Sequence, residues 1–506
     1  MRNMARSIAD WLTALALVSV PLGCAPKDSD KSTTDSPAAA TAGGDVARNA
    51  KIPVTSASDE ARSLYVKGRD LSEQLRNQDA RPLFEQAVAK DSTFALAHYN
   101  LALTSPTTKE FLQHLSQAVA LSNKASEGEQ LLIRSLDANA KADPATSLRL
   151  AEEIVAKYPQ DERAHFNLGN AYNGRQQYDK AVAEYKKAIE INPNYSPVYN
   201  SLGYTYRSMD NNAEAEQAFK KYIELVPNDP NPYDSYAELL MKMGRFDESI
   251  AQYQKALAID PGFGNSHIGI ASNLMLQGKH DDAIAEAQKL YAAARDDGDR
   301  RTAQFAQVVI DADRGRTAQA LQRMERLYAL GAKSGDTAAM ANDASTIGDI
   351  LLDAGRTAEA QKRYAQSLAL VTGSGFPAEV KDDATLGDHY NKARVALATN
   401  DLATAKTEAD AYMKGSEAKQ NDFRVRQAHQ LVGMIAQKEK KFDEAIAHYA
   451  KANQQDPYVT YMTALAYQGK GDAAKAKQLS ERAANDNSLP ALNYALVRAK
   501  ARNMAQ

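Results

Sequence analysis

The sequence predicts an all-α solenoid of about twelve helix–turn–helix pairs closed by one further helix, and three observations predict it. The first is a fixed period. Gly169 recurs as Gly203, Ala237 and Ala271, Ala181 as Ala215, Ser249 and Ala283, Tyr185 as Phe219, Tyr253 and Ala287, and Pro193 as Pro227 and Pro261, with the same spacing in all four columns. The second is helical spacing inside one period. Leu168, Gly169 and Tyr172 share one helical stripe, and Ala181, Tyr185 and Ala188 share another. The third is punctuation, since Pro193 cannot continue the second helix and Asn194 opens the next turn. With 506 residues the chain suggests roughly three domains by length alone. A repeat overrides that prior, because a solenoid grows in one dimension without dividing into separate cores.

At the amino end, Arg2 and Arg6 precede an apolar stretch from Trp11 to Gly23 that stops at Cys24, the only cysteine. The stretch is too short to span a bilayer, which takes about 20 apolar residues, so it reads as a signal peptide. Gly23 directly before Cys24 resembles the lipobox of bacterial lipoproteins, in which the cysteine becomes a lipidated amino terminus after cleavage. That resemblance implies an extracytoplasmic protein on the periplasmic face of a membrane, attached through its N-terminal lipid only. Ala25, where an aspartate would imply inner-membrane retention, points to the outer membrane. From Pro26 to about Ala57 the residues are mainly Asp, Ser, Thr, Ala, Gly, Lys and Pro, which cannot bury a core and read as a flexible tether. The expected division is 1–23 signal peptide, 24–57 lipidated tether, 58–298 first repeat array, and 299–506 second array with a capping helix.

Within the arrays the pairs are expected to begin near 61, 95, 128, 162, 196, 230 and 264. Glycine inside a helix costs up to about 1 kcal/mol against alanine, so Gly169 implies a close contact that compensates. Beyond about Asp297 the alanine column continues at Ala320, Ala360, Ala405, Ala445 and Ala476 with looser steps, which longer helices or loops explain. Asp296 to Arg300 and Thr372 to Pro377 are expected breaks. After Pro490 a final helix carries Leu492, Leu496, Arg498, Lys500 and Arg502 and reads as a cap on the last pair.

With Glu162 as its first position, one period shows His165, Leu168, Gly169, Tyr172, Ala181, Tyr185, Ala188 and Pro193. This pattern resembles the tetratricopeptide repeat family over about 61–503. The resemblance implies a right-handed superhelix whose first helices line a concave groove, chiefly through the second, fifth, ninth and twelfth positions of each repeat. Those positions hold Arg163, Phe166, Asn170 and Asn173, then Pro197, Asn200, Tyr204 and Arg207, then Asn231, Asp234, Glu238 and Met241. Their side chains suit a protein partner or an extended peptide segment. The family's carboxylate clamp is not reproduced, since only Asn170 fits it.

Nothing in the sequence calls for a cofactor, a metal or catalysis. His98, His165, His267 and His429 share one repeat position and are expected to pack as flat rings, while no HExxH, GxSxG or phosphate-binding glycine loop occurs. The 61 basic against 64 acidic residues leave no footprint for nucleic acid. The expectation is therefore a lipid-anchored scaffold. Its competitors are a regulatory or sensor module, suggested by Ser126 to Ile133, and a cell-wall glycan enzyme using Asp234 and Glu238.

Overall fold

A computed structural model describes residues 51–506 apart from positions 75, 142 and 490. The apolar start, Cys24 and most of the expected tether lie outside the described residues. Among the described residues the chain is helical without strands. Seven pairs come first: α1 (Asp59–Glu73) with α2 (Asn77–Lys90), α3 (Ala95–Leu103) with α4 (Thr108–Leu121), α5 (Glu127–Ala140) with α6 (Pro144–Lys157), α7 (Glu162–Gly174) with α8 (Tyr178–Ile191), α9 (Ser196–Ser208) with α10 (Asn212–Leu225), α11 (Pro230–Lys242) with α12 (Phe246–Ile259), and α13 (Gly264–Leu276) with α14 (His280–Ala292). Five more follow: α15 (Asp297–Asp313) with α16 (Thr317–Ser334), α17 (Thr337–Asp353) with α18 (Thr357–Thr372), α19 (Ala378–Ala398) with α20 (Leu402–Ala418), α21 (Asp422–Lys438) with α22 (Phe442–Tyr449), and α23 (Pro457–Lys470) with α24 (Ala473–Ala484). A single helix, α25 (Leu492–Ala505), ends the chain.

The packing inside a pair follows from the repeating residues. A methyl group on Gly169 would stand 2.5 Å from the Tyr185 ring, and one on Gly203 would stand 2.7 Å from Phe219. The small residue of the first helix thus makes room for the ring of the second, and Ala181, Tyr185, Ala215 and Phe219 are fully buried. The turn between the two helices is also periodic. Gln176, Asp210, Gly244 and Gly278, each one period apart, all take a left-handed backbone, with φ from 56 to 80°.

Residues 51–57, which composition assigns to the tether, are instead docked. The backbone N–H groups of Ile52, Thr55 and Ala57 donate to carboxylate oxygens of Asp161, Glu129 and Asp91, each at 2.8 Å. Ile52 also packs against Leu131, Ile154 and Ala164. Burial works against the Asp91 carboxylate, but hydrogen bonds from Ser56, Thr93 and the Ala57 backbone outweigh it and hold its pKa at about 2. The expected break at 296–300 is likewise mostly helix, because Asp296 accepts the Asp299 N–H at 2.9 Å and caps α15.

The array coils back on itself. Arg295, just before the eighth pair, donates to Gln78 of the first at 2.8 Å. Asp422 of the eleventh pair meets Arg175 of the fourth at 2.9 Å. Gln455, before the twelfth pair, donates to the Ser208 carbonyl of the fifth at 2.6 Å. Asp486, before α25, meets Lys242 of the sixth at 3.1 Å. Each contact joins the turn within one pair to the connection that precedes the element seven places further on.

Candidate functional site

The residues expected to line a groove are mostly engaged with the chain itself. On α7, Arg163 forms a two-pronged contact with Glu73 of α1, at 2.6 and 3.2 Å, and lies over the Tyr195 ring at 5.5 Å. Burial opposes the charge on Arg163, but the Glu73 carboxylate prevails and raises its pKa. Phe166 meets Tyr195 edge-on at 5.5 Å. Asn170 is exposed, its side-chain oxygen accepting the Tyr185 hydroxyl at 2.8 Å. Asn173 accepts from Thr205 of the next pair at 2.9 Å.

On α9, Tyr204 is buried against Phe219, and the Arg207 guanidinium lies 4.8 Å above its ring. Asn200 keeps a buried side-chain oxygen without a hydrogen-bond partner. On α11 the stripe is closed off. Asn231, Asp234 and Glu238 are all buried, donating to the Tyr222 hydroxyl at 2.9 Å, accepting from Ser266 at 2.8 Å, and pairing with Arg207 at 3.0 Å respectively. The structure therefore brings these residues together on one inner face, yet leaves only the α7 end of it open in the way a partner requires. Asp234 and Glu238 are held by a serine and an arginine of the neighbouring helices.

The inner face of the middle pairs is covered by α25. Leu492, Tyr494, Ala495 and Val497 belong to one apolar cluster with Met241, Met275, Val309, Ile347 and Ile350, so α25 does more than cap the last pair. Arg498 is only 1% exposed. Its guanidinium stands 3.2 Å from the Asp313 carboxylate and 3.2 Å from the Leu276 carbonyl, in the last turn of α13, where the helix dipole favours a cation. Burial lowers the pKa of Arg498 despite Asp313. Asp313 is shared, its other oxygen lying 2.8 Å from Nε2 of His280. A sequence signal for this site existed at the twelfth repeat position, which changes from Asn173 and Arg207 to Met241 and Met275.

The histidines are clasps rather than flat packing rings. His165, His267 and His389 each meet a glutamate nineteen residues on, Glu184, Glu286 and Glu408, at 2.6, 2.6 and 2.5 Å. In the eleventh pair His448 takes the glutamate's place, 3.1 Å from His429. Burial foremost, then His448 and Lys451, lowers the pKa of His429 to about 4. Among the described residues no three or more His, Cys, Asp or Glu side chains converge as a metal-ligand set would, and no helix is long and apolar enough to cross a membrane.

Comparison with protein families matches a TPR repeat model over 169–210 and tetratricopeptide repeat models over 65–105, 196–229, 240–304 and 427–458. Among solved structures the chain is similar to a tetratricopeptide repeat protein from Parabacteroides merdae, at 15% identity over 51% of this chain and 96% of that one, with a TM-score of 0.36. It is also similar to MamA from Desulfovibrio magneticus RS-1, at 18% identity over 34% and 97% of the two chains, TM-score 0.29. A third similarity is to YrrB, described as a TPR protein with an unusual peptide-binding site, at 16% identity over 36% and 91%, TM-score 0.25. No curated protein matches the chain.

Proposed function

The chain is a tetratricopeptide-repeat protein, and from that premise we propose that it is a scaffold held by a lipid on Cys24 at the extracytoplasmic face of a bacterial outer membrane, where it gathers other proteins. Such repeats bind proteins or peptides and bring no reacting group of their own. The observation that carries the reading is the continuous inner face of twelve stacked pairs, whose α7 portion presents exposed Asn170 beside the half-buried ring of Phe166. An extended segment laid there would find an amide for its backbone and an aromatic edge for an apolar side chain. The lipid reading rests on Gly23 and Cys24 after the apolar start. Stable attachment takes two acyl chains or more, as a diacylated cysteine provides.

Two substitutions test the two halves of the proposal. Cys24→Ser should abolish incorporation of labelled palmitate and release the protein from the membrane fraction, whereas a wild type that takes no label removes the anchor. Asn170→Lys, at an exposed position, should weaken capture of envelope proteins on the immobilised chain by about tenfold or more through steric and charge conflict. Lys186→Glu, exposed on the second helix of the same pair, should change little. Loss of a partner in the second variant alone would place recognition on the outer face.

A further inference from the structure

The middle of the groove already holds an occupant, and that occupant reports what the groove recognises. Its wall is apolar, built from Met241 of α11, Met275 of α13, Val309 of α15 and Ile350 of α17. One charged position is set into that wall, where the Asp313 carboxylate and the Met275 and Leu276 carbonyls face the same guanidinium. α25 supplies the complement, with Tyr494 and Val497 on the wall and Arg498 one turn after Tyr494. A helix laid into an apolar groove with a few fixed anchors is a recurring way of recognising a protein segment.

Two features mark α25 as a ligand more than as a last repeat element. It has no partner helix of its own and buries its apolar residues against elements some two hundred residues earlier in the chain. Its arginine is also imperfectly held. Arg498 and Asp313 lie within ion-pair distance, yet the Asp313 oxygen facing Arg498 accepts no aligned hydrogen bond and the Arg498 Nε has no partner. A buried ion pair returns little net stability for its desolvation, so such a pair selects the right helix more than it fastens it.

Resting on the scaffold reading above, we propose that the inner wall of α11, α13, α15 and α17 is a helix-binding groove for a partner protein's amphipathic helix carrying an arginine one turn after an aromatic residue, and that the partner enters by exchange with α25. The short connection from α24 keeps α25 at a high effective concentration, so only a helix that fits the Asp313 position better displaces it. The groove thereby stays closed to weak ligands, and its methionines stay covered until a fitting helix arrives.

The test uses the full chain and a fluorescent peptide of residues 486–506, read by anisotropy. Arg498→Gln in the full chain weakens the resident helix, so this variant should bind the peptide about tenfold more tightly than wild type does. A peptide carrying the same Arg498→Gln change should bind that variant about tenfold less tightly than the unaltered peptide. Equal binding of both peptides, or no binding to either chain, overturns the proposal. Hydrogen exchange on the wild type gives a second reading independent of any variant. α25 should exchange faster than α13, α15 and α17, and exchange at their rate counts against a displaceable helix. A wild type that runs as a dimer exchanging α25 between copies would make the occupant a second copy and also overturn the proposal. A chain that rejects the peptide yet still captures envelope proteins loses this groove and keeps the scaffold role, while one that takes the peptide and captures nothing does the reverse.

Discussion

Gly169 lies under the Tyr185 ring with no room for a methyl group, and Tyr185 is fully buried with its hydroxyl on Asn170. Gly169→Ala should therefore cost about 1–3 kcal/mol by overpacking, even though alanine is the better helix former. Denaturant unfolding decides between the two effects, and a variant as stable as wild type would mean that the ring has another place to go. The contact was legible in the sequence because both residues sit in periodic columns. The histidine clasps were not, because their glutamates lie nineteen residues away at a position with no aromatic or small-residue signature. His429 shows what a clasp does. Its folded pKa of about 4 lies below the ordinary 6.5, so the unfolded chain takes up the proton first and stability falls as pH drops from about 6.5 toward 4. His448→Glu restores the pairing seen at His165 and Glu184 and should flatten that loss. The check is the melting temperature of both proteins from neutral pH to about pH 5, and parallel curves would count against the clasp.

At the scale of helices and turns, the strict period placed the first seven pairs closely. Their first helices begin at Asp59, Ala95, Glu127, Glu162, Ser196, Pro230 and Gly264, within two residues of the spacing in the sequence. From Asp297 onward the period failed because most of the helices lengthen, α19 reaching 21 residues. The DDGDR stretch misled for a local reason. Aspartate and glycine look like a loop in sequence, but here they form the capped first turn of α15. The turns within pairs supply a clean test of backbone preference. Gly278 has φ of 80° and open space around it, so Gly278→Ala adds only conformational strain. The expected loss is about 1 kcal/mol. Thermal or chemical unfolding measures it, and a gain in stability would show that the turn leaves the left-handed region.

No pattern in the sequence announces that pairs seven apart touch, because the residues that join them are single polar side chains rather than columns. Nor does a capping signature reveal that α25 lies inside the coil, since an amphipathic last helix looks the same whether it covers the final pair or an inner wall. Magnitudes decide which of these contacts holds the coil closed. Arg175 with Asp422 and Lys242 with Asp486 are partly exposed ion pairs, and such pairs contribute about 0–1 kcal/mol each and weaken with salt. Burying Leu492, Tyr494 and Val497 is worth about 1.5–3 kcal/mol apiece. The apolar docking of α25 should therefore dominate. Lys242→Glu is expected to leave the radius of gyration unchanged in small-angle scattering. Val497→Asp, which puts a carboxylate against Met275 and its neighbours, should release α25 and enlarge the molecule while circular dichroism shows nearly the same helix content, because each pair still rests on its neighbours. If the charge reversal opens the coil and the buried aspartate does not, the polar contacts between turns hold the shape and α25 is a passenger.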